Sequence, residues 1–198
     1  MVIAAVAVSS ESVLDDCGVK DSKVLSPKER ERLFPQIQER CRVATICLDA
    51  QDIDAARQEM TMNAVVARAH AQAIDKLAPT IAYVDACDVN APRYAETVKT
   101  LLDSTLDCRI VAEHHADQTF RVVSAASIVA KVTRDRAIDT LAEQYGEIGS
   151  GYPSDPITIR YLTSYIAEHQ SPPLIARKSW KTVSALFAKK SQKKLLDF

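Results

Sequence analysis

The chain has 198 residues, of which 47% are hydrophobic and 26% charged, a composition typical of globular proteins that excludes disordered and fibrous classes. Five cysteines without a C-x-x-C pair exclude a disulfide framework or zinc site and indicate reduced thiols in the cytoplasm. Only four glycines occur, and neither G-x-G-x-x-G nor G-x-x-x-x-G-K is present, which excludes Rossmann and P-loop nucleotide enzymes.

The net charge of −1 is unevenly distributed along the chain. Between Arg177 and Lys194 there are seven basic residues and no acidic one, which leaves 18 basic and 25 acidic residues in positions 1–176. An acidic body with a basic C-terminal arm suits a protein that performs metal or acid–base chemistry on a polyanion. A solvated basic helix is the alternative interpretation.

The first half of the chain alternates strand and helix patterns. Val2–Val8 predicts a buried strand, too short for a membrane span and without the preceding basic residue of a secretory signal. Ser26 begins a helix with a capping-box pattern, and a break or bend is predicted near Pro35. A second strand is predicted at Arg42–Ala50, followed by two successive helices within Gln51–Leu77.

The second half continues the alternation and then changes character. The predicted elements are a strand at Thr80–Ala86, a helix at Pro92–Leu106, a strand at Arg109–Glu113, a helix at Ser124–Tyr145 capped by Ser124, and helices at Pro156–His169 and Trp180–Lys190. This order predicts an α/β domain with partly parallel strands. We expect a catalytic domain over 1–147, a helical subdomain over 148–190 and a tail over 191–198.

Two carboxylates follow neighbouring predicted strands. Asp85 ends the strand before it, and Asp117 lies just past the next strand. If the strands are adjacent, both carboxylates share one sheet edge and offer the hard oxygen ligands that Mg²⁺ or Mn²⁺ prefers. Loop capping is the alternative role for Asp85, and His114 and His115 are interpreted as loop residues rather than ligands.

Three further polar residues are candidates for binding a phosphate backbone. Ser127 and Lys131 lie four residues apart on one helix face. A salt bridge from Lys131 to Asp135 is the structural alternative. Lys23 lies in a polar loop and is either a phosphate donor or an ordinary surface lysine.

Six blocks of sequence, taken in order, share one pattern: Asp21-Ser22-Lys23, Tyr83-Val84-Asp85, His114-His115-Ala116-Asp117, Ser124–Lys131, Gly149–Pro156 and Ser179-Trp180-Lys181. Together they resemble type 2 ribonuclease H, or ribonuclease HII, in its archaeal single-chain form. The resemblance extends over nearly the whole chain. It implies an RNase H-like mixed sheet flanked by helices, with a small helical C-terminal subdomain.

The same resemblance implies an activity and a site. The expected reaction is metal-dependent hydrolysis of the RNA strand of RNA–DNA hybrids and of ribonucleotides embedded in duplex DNA, giving 5′-phosphate ends. Asp85 and Asp117 match two of the four acidic ligands that the family uses for Mg²⁺ or Mn²⁺. Lys23 matches a phosphate contact, and Tyr152 matches the tyrosine that senses the ribose 2′-OH.

The chain departs from the family at its beginning. The family pattern opens with a strand ending in Asp-Glu-Ala-Gly, which supplies the other two carboxylates, whereas Val2 already begins what resembles the second strand. The first, central strand is therefore expected to be missing. We expect either that the chain or its start site is truncated, or that the chain has poor activity and stability. The alternative function is a clamp-tethered hybrid-binding protein without cleavage. A junction resolvase is a third hypothesis, against which the block Gly149–Pro156 argues.

The C-terminal residues resemble a clamp-binding peptide. Gln192, Leu195 and Phe198 fit the pattern that docks on a sliding clamp of the PCNA type, with the two apolar residues on one side of a helical turn. A frayed terminus is the alternative. The expected partners are thus nucleic acid and a sliding clamp, with no membrane, for a monomeric cytoplasmic protein.

Overall fold

A computed structural model of the chain describes residues 1–15, 19 and 25–196, with residues 189–196 described by their backbone alone. The described chain divides into two compact units. We call Val2–Cys47 with Thr61–Arg134 the sheet unit, and Met1, Leu48–Met60 and Asp135–Phe198 the helical unit. The sequence-based boundary near residue 147 stays a prediction.

Strands and helices alternate through the first two thirds of the chain. The strands are β1 Val2–Ala7, β2 Arg42–Cys47, β3 Ile81–Asp85 and β4 Arg109–Glu113. The helices are α1 Pro27–Arg40, α2 Ala50–Glu59, α3 Met62–Leu77, α4 Ala91–Thr100, α5 Ala116–Thr119, α6 Arg121–Tyr145, α7 Pro156–His169 and α8 Lys181–Leu196, with a 3-10 turn at Glu11–Leu14. No described helix is long and apolar enough to cross a lipid bilayer.

The four strands form two separate ladders within the described residues. β1 and β2 pair antiparallel, with Val2 opposite Cys47. β3 and β4 pair in parallel, with Ile81 opposite Arg109 and Asp85 opposite Glu113. Helix α4 makes the crossover that two parallel strands require. The α/β class with helices flanking the strands is therefore confirmed.

Two apolar clusters hold the sheet unit together. The first joins β1 to α1 and α6 through residues at helical spacing, namely Val6, Leu33, Phe34, Ile37, Ala125, Ile128, Val129 and Val132. The second joins β3 to α3 and α4, namely Ala67, Ala71, Ile74, Ala82, Val84, Tyr94, Val98 and Cys108. Helices thus pack on both ladders, and α3 contacts β1 and β2 as well as β3.

Local signals set most helix boundaries, with some corrections. The Ser26–Glu29 capping box is formed. The break considered at Pro35 does not occur, because α1 continues through it while Phe34 and Ile37 beside it stay buried, and the bend stays a prediction. The cap expected at Ser124 is also wrong: Phe120 O accepts the N–H groups of residues 123 and 124, so α6 begins three residues earlier and Ser124 is buried. Helix α4 ends at Thr100 rather than near 106.

A partly buried hydrogen bond joins His70 to Tyr94 of the second cluster. His70 Nδ1 lies 2.8 Å from Tyr94 Oη, and the two rings meet edge to face. Burial lowers the pKa of His70 to about 4, although the Asp85 carboxylate favours the charged form. Burial also raises the pKa of Tyr94, assisted by a hydrogen bond with Cys87. We infer that His70 is neutral in the folded protein near neutral pH.

Acid should therefore destabilise the protein through His70. The folded state resists protonation down to about pH 4, whereas the unfolded histidine takes up a proton near its ordinary pKa of 6.5. The free energy of unfolding should consequently fall as the pH is lowered through this window. The His70→Gln substitution is expected to remove this part of the fall in the free energy of unfolding. Urea unfolding near neutral pH and near pH 5 measures the difference.

The matched control is His169→Gln, which changes an exposed histidine stacked on Tyr165. In the His169→Gln protein, the free energy of unfolding should fall on acidification as much as in the unsubstituted chain. An unchanged pH dependence in the His70→Gln protein would contradict the assignment.

Candidate active site

Two carboxylates from separate parts of the chain meet at the end of the parallel ladder. Asp85 is the last residue of β3, and Asp117 is the second residue of α5. The Asp85 Oδ1 atom accepts a hydrogen bond from Ala116 N–H at 3.3 Å, so it contacts the residue directly before Asp117. The structure therefore brings both predicted carboxylates to the same sheet edge.

Two features fix the position of Asp117. His115 has a left-handed backbone conformation with φ 57°, which is uncommon outside glycine and reverses the chain between β4 and α5. Phe120 then stacks on Tyr83 of β3, with ring centroids 4.2 Å apart. Asp117 is held in the interior, 5% exposed, whereas Asp85 is exposed. One carboxylate is thus rigidly placed and the other is open to a ligand.

A cavity of about 470 Å³ opens onto these carboxylates. Its lining includes every residue of β1 and of β3, Asp85 among them, and also Asp117. Because neighbouring residues of a strand point to opposite faces, this lining shows that the cavity borders the backbone edges of both strands. Neither strand has a second ladder partner among the described residues, so the cavity lies beside an open edge of each strand.

The carboxylate pair suits a single hard cation. Mg²⁺ commonly takes one or two carboxylates and completes its octahedron with water and substrate phosphate. No group of three or more His, Cys, Asp or Glu side chains in the described part of the chain is arranged to hold a metal ion. The described residues therefore fit one such cation held by Asp85 and Asp117.

The other predicted contacts of the sheet unit are placed differently. Ser127 of α6 is half-buried and lines the same cavity. Lys131, one turn further along α6, is half-buried and is not part of the lining. Lys23 lies outside the described residues. Ser127 thus shares a cavity with the two carboxylates, and the phosphate roles of Ser127 and Lys131 stay predictions.

In the helical unit, Tyr152 is presented by a tightly bonded loop. Its side chain is 54% exposed. Asp155 Oδ2 accepts the N–H of Ser150, and Thr158 Oγ1 accepts the N–H of Gly151 at 2.9 Å while donating to Ile148 O at 2.9 Å. The backbone on either side of Tyr152 is therefore fixed, and its ring is left open to solvent.

Gly149 makes this loop possible. Its φ is +71°, and a Cβ there would lie 2.6 Å from Asp155 Oδ2 and 2.7 Å from Thr158 N. Hydrogen bonds from the backbone N–H and hydroxyl of Ser150, and from Ile157 N–H, lower the pKa of Asp155 to about 2. The carboxylate that anchors the loop is therefore ionised at all physiological pH values.

The basic arm is also anchored at its start. Asp54 of α2 accepts the backbone N–H groups of Lys178 and Ser179. Burial alone would raise the pKa of Asp54, but hydrogen bonds from Ser179 and from these N–H groups lower it below its usual value. The Arg177 guanidinium lies over the Trp180 ring, 5.0 Å from its centroid. These contacts fix where helix α8 begins.

Sequence reasoning missed three of these anchors, Asp155, Asp54 and Thr158. Asp155 had a local signal, since an Asp-Pro pair is typical of a helix start. Asp54 and Thr158 had none, because Asp54 binds backbone groups 124 residues away and Thr158 acts through a loop conformation that the sequence does not display. In the tail, the backbone of Gln192 and Leu195 is helical, their side chains lie outside the described residues, and Phe198 lies wholly outside them.

Comparisons with known proteins agree with this architecture. The profile of the family Ribonuclease HII matches residues 1–183. A ribonuclease HII of Methanoregula boonei is 65% identical over 198 residues, covering 100% of this chain and 92% of the relative. RNase HII in the PCNA:RNase HII complex of Archaeoglobus fulgidus superposes with a TM-score of 0.84 at 40% identity, covering 93% of this chain and 88% of that one.

The ribonuclease H2 of Pyrococcus horikoshii superposes equally well, with a TM-score of 0.84 at 34% identity, covering 97% of this chain and 100% of that one. Family profile, curated relative and solved structures thus agree over nearly the whole chain. The resemblance found in the six sequence blocks is confirmed. The chain belongs to the ribonuclease HII family of endoribonucleases.

Proposed function

We propose that this chain hydrolyses the RNA strand of RNA–DNA hybrids and cuts at ribonucleotides embedded in duplex DNA, using Mg²⁺ or Mn²⁺ held by Asp85 and Asp117. The observation that carries the proposal is the meeting of these two carboxylates on one cavity, where Asp85 bonds the residue before Asp117. Family membership supports the reaction class, and the carboxylate pair supports the proposed position of the metal site.

The chemistry that a divalent cation supplies when bound at this pair is activation of water and stabilisation of the leaving 3′-oxygen, which gives 5′-phosphate and 3′-hydroxyl ends. The protein contributes position and charge. Asp117 is fixed by its buried place in α5, and Asp85 remains exposed at the strand end. Their oxygen atoms are the hard donors that such a cation requires.

Other residues are proposed to hold the nucleic acid. Ser127 at the cavity, with Lys131 and Lys23, would contact the phosphate backbone, as the family pattern implies. Tyr152 would contact the ribose 2′-OH, the group that separates RNA from DNA. The rigid, glycine-dependent loop supports this role, because it presents the exposed tyrosine in one backbone conformation.

One observation favours a second candidate function. The described residues provide two carboxylates but no larger metal-binding group. Two divalent cations about 4 Å apart repel each other and need several carboxylates between them. A chain limited to Asp85 and Asp117 could therefore bind the hybrid through its basic arm without cutting it.

We further propose that residues 191–198 bind a sliding clamp of the PCNA type and that the protein is a cytoplasmic monomer. The Archaeoglobus relative is described in complex with PCNA. In this chain, Gln192, Leu195 and Phe198 match the clamp pattern. The thiols of Cys47, Cys87 and Cys108, which form no disulfide among the described residues, suit a reducing compartment.

Cleavage depends on the carboxylate charge in this proposal. Asp85→Asn is expected to reduce metal-stimulated nicking of a duplex containing one ribonucleotide by about 10²-fold or more, because an amide does not neutralise the cation. The assay follows 5′-phosphate products with Mg²⁺, with Mn²⁺ and with a chelator.

Asp103→Asn serves as the control, since this exposed carboxylate lies in the same unit away from the cavity. It should nick at the unsubstituted rate. Equal nicking by the Asp85→Asn protein removes the site assignment. Hybrid binding with a steep salt dependence, but without metal-stimulated cleavage by the unsubstituted chain, establishes the second candidate function instead.

The hydroxyl of Tyr152 should report on ribose recognition. Tyr152→Phe is expected to lower kcat/KM on the single-ribonucleotide duplex by about tenfold, the worth of one hydrogen bond, and to leave binding of all-DNA duplex unchanged. Tyr165→Phe, in α7 of the same unit, is the matched control. If the Tyr152→Phe protein binds both the ribose-containing and the all-DNA duplex more weakly by the same factor, Tyr152 does not recognise the 2′-OH.

The clamp peptide can be tested apart from catalysis. Leu195→Ala and Phe198→Ala are each expected to weaken binding to an immobilised PCNA-type clamp by about thirtyfold, as for anchors that fill a pocket. Ser191→Ala, just outside the pattern, should bind like the unsubstituted chain. Retained clamp binding in both anchor variants would exclude this tail as the docking segment.

A further inference from the structure

The chain makes a tight turn just before helix α8. Trp180 N–H donates to Arg177 O at 3.1 Å, which closes a turn whose two central residues are Lys178 and Ser179. Each carboxylate oxygen of Asp54 accepts one of the two central N–H groups, that of Lys178 at 2.6 Å and that of Ser179 at 3.2 Å. One side chain of α2 therefore satisfies the N–H groups of both central residues of the turn.

The same turn is also held by helix α8. Lys178 O accepts a hydrogen bond from the Ser184 hydroxyl at 3.3 Å. The Trp180 ring packs on the apolar cluster that joins α7 to α8, and the Arg177 guanidinium lies over that ring. The backbone of Lys178 is thus fixed through both its N–H and its C=O, whereas its side chain is exposed.

Cationic side chains accompany this turn. Lys178 and Lys181 are exposed, and no ion pair in the described part of the chain includes either ammonium group. Burial lowers the pKa of Arg177, the Asp54 carboxylate opposes this shift, and the nearby Arg57 charge adds to it. The Asp54 carboxylate thus lies among cations.

A carboxylate in such a place has two opposite effects on the binding of a polyanion. Its negative charge reduces the attraction for phosphate. Its hydrogen bonds hold the turn in one conformation, which removes in advance part of the conformational entropy that the lysines would lose on meeting phosphates. The contacts of Asp54 suit the second effect, since they hold backbone rather than either ammonium group.

We propose that Asp54 is a positioning residue for nucleic-acid binding, which holds the turn Arg177–Trp180 so that the ammonium groups of Lys178 and Lys181 contact phosphates of a bound duplex. This role rests on the proposed binding of RNA–DNA hybrids and adds two phosphate contacts to it. Such contacts set affinity and orientation and carry no sequence information.

Hybrid binding without metal tests this role apart from cleavage. Fluorescence anisotropy of a labelled RNA–DNA hybrid, in the presence of a chelator, gives the Kd as a function of salt concentration. Asp54→Ala is expected to raise the Kd about tenfold and to make the slope of log K against log salt shallower by about one, as for one lost phosphate contact. A charge effect alone has the opposite sign, because removing a negative charge tightens the binding of a polyanion.

Matched variants separate charge from position. Glu59→Gln removes an exposed negative charge from the last residue of the same helix and should change the Kd by less than about twofold. Asp54→Asn removes the same charge as Asp54→Ala but retains one acceptor oxygen, so its Kd should lie between those of the unsubstituted and Asp54→Ala proteins. In the Lys178→Ala/Lys181→Ala chain, Asp54→Ala should have an effect below about twofold, because the groups that it positions are gone.

Amide hydrogen exchange measures the turn in the absence of nucleic acid. The N–H groups of Lys178 and Ser179 should exchange faster in the Asp54→Ala protein. Equal exchange rates, unchanged or tighter hybrid binding by Asp54→Ala, or an equal loss in the chain without both lysines each overturn the role of Asp54 and leave hybrid binding standing. If Asp54→Ala does not fold, the comparison of Asp54→Asn with Glu59→Gln decides, and equal Kd values overturn the role. If the unsubstituted chain does not bind the hybrid, the proposed function and this role both fall.

Discussion

The hydrogen bond from Ala116 N–H to the Asp85 carboxylate joins two parts of the chain that are 31 residues apart. It depends on the parallel pairing of β3 with β4, which places Asp85 opposite Glu113 at one end of the ladder. The left-handed backbone at His115 then turns the chain so that α5 begins beside that end. Parallel strands present their carboxyl ends together, and this is why a carboxylate pair forms here.

Helices pack on both two-stranded ladders, and among the described residues one edge of β1 and one edge of β3 border a cavity. Buried backbone groups are normally hydrogen-bonded, and isolated two-stranded ladders are marginal. The helices α1, α3, α4 and α6 thus carry much of the stability, through clusters centred on residues such as Leu33 and Val98.

In the helical unit, side-chain hydrogen bonds hold loop backbone in fixed positions. Asp155 and Thr158 bond the backbone around Tyr152, and Asp54 bonds the backbone at the start of the basic arm. In each case a side chain satisfies N–H groups that lie outside regular structure. Rigid loops suit recognition, because less conformational entropy is lost when a ligand binds.

The sequence alone determined the family, the α/β class and most element boundaries, because periodicity, capping residues and motif order are local properties. It also identified Asp85, Asp117 and Tyr152, whose motifs are contiguous. It was wrong about Ser124 as a helix cap, because Phe120 O accepts the N–H groups of residues 123 and 124 and α6 begins three residues earlier. Only the tertiary structure decided the bond between Asp85 and Ala116, the contact of Asp54 with the basic arm and the cavity between two open strand edges. These depend on which distant segments meet, and spacing along a chain does not encode distance in space.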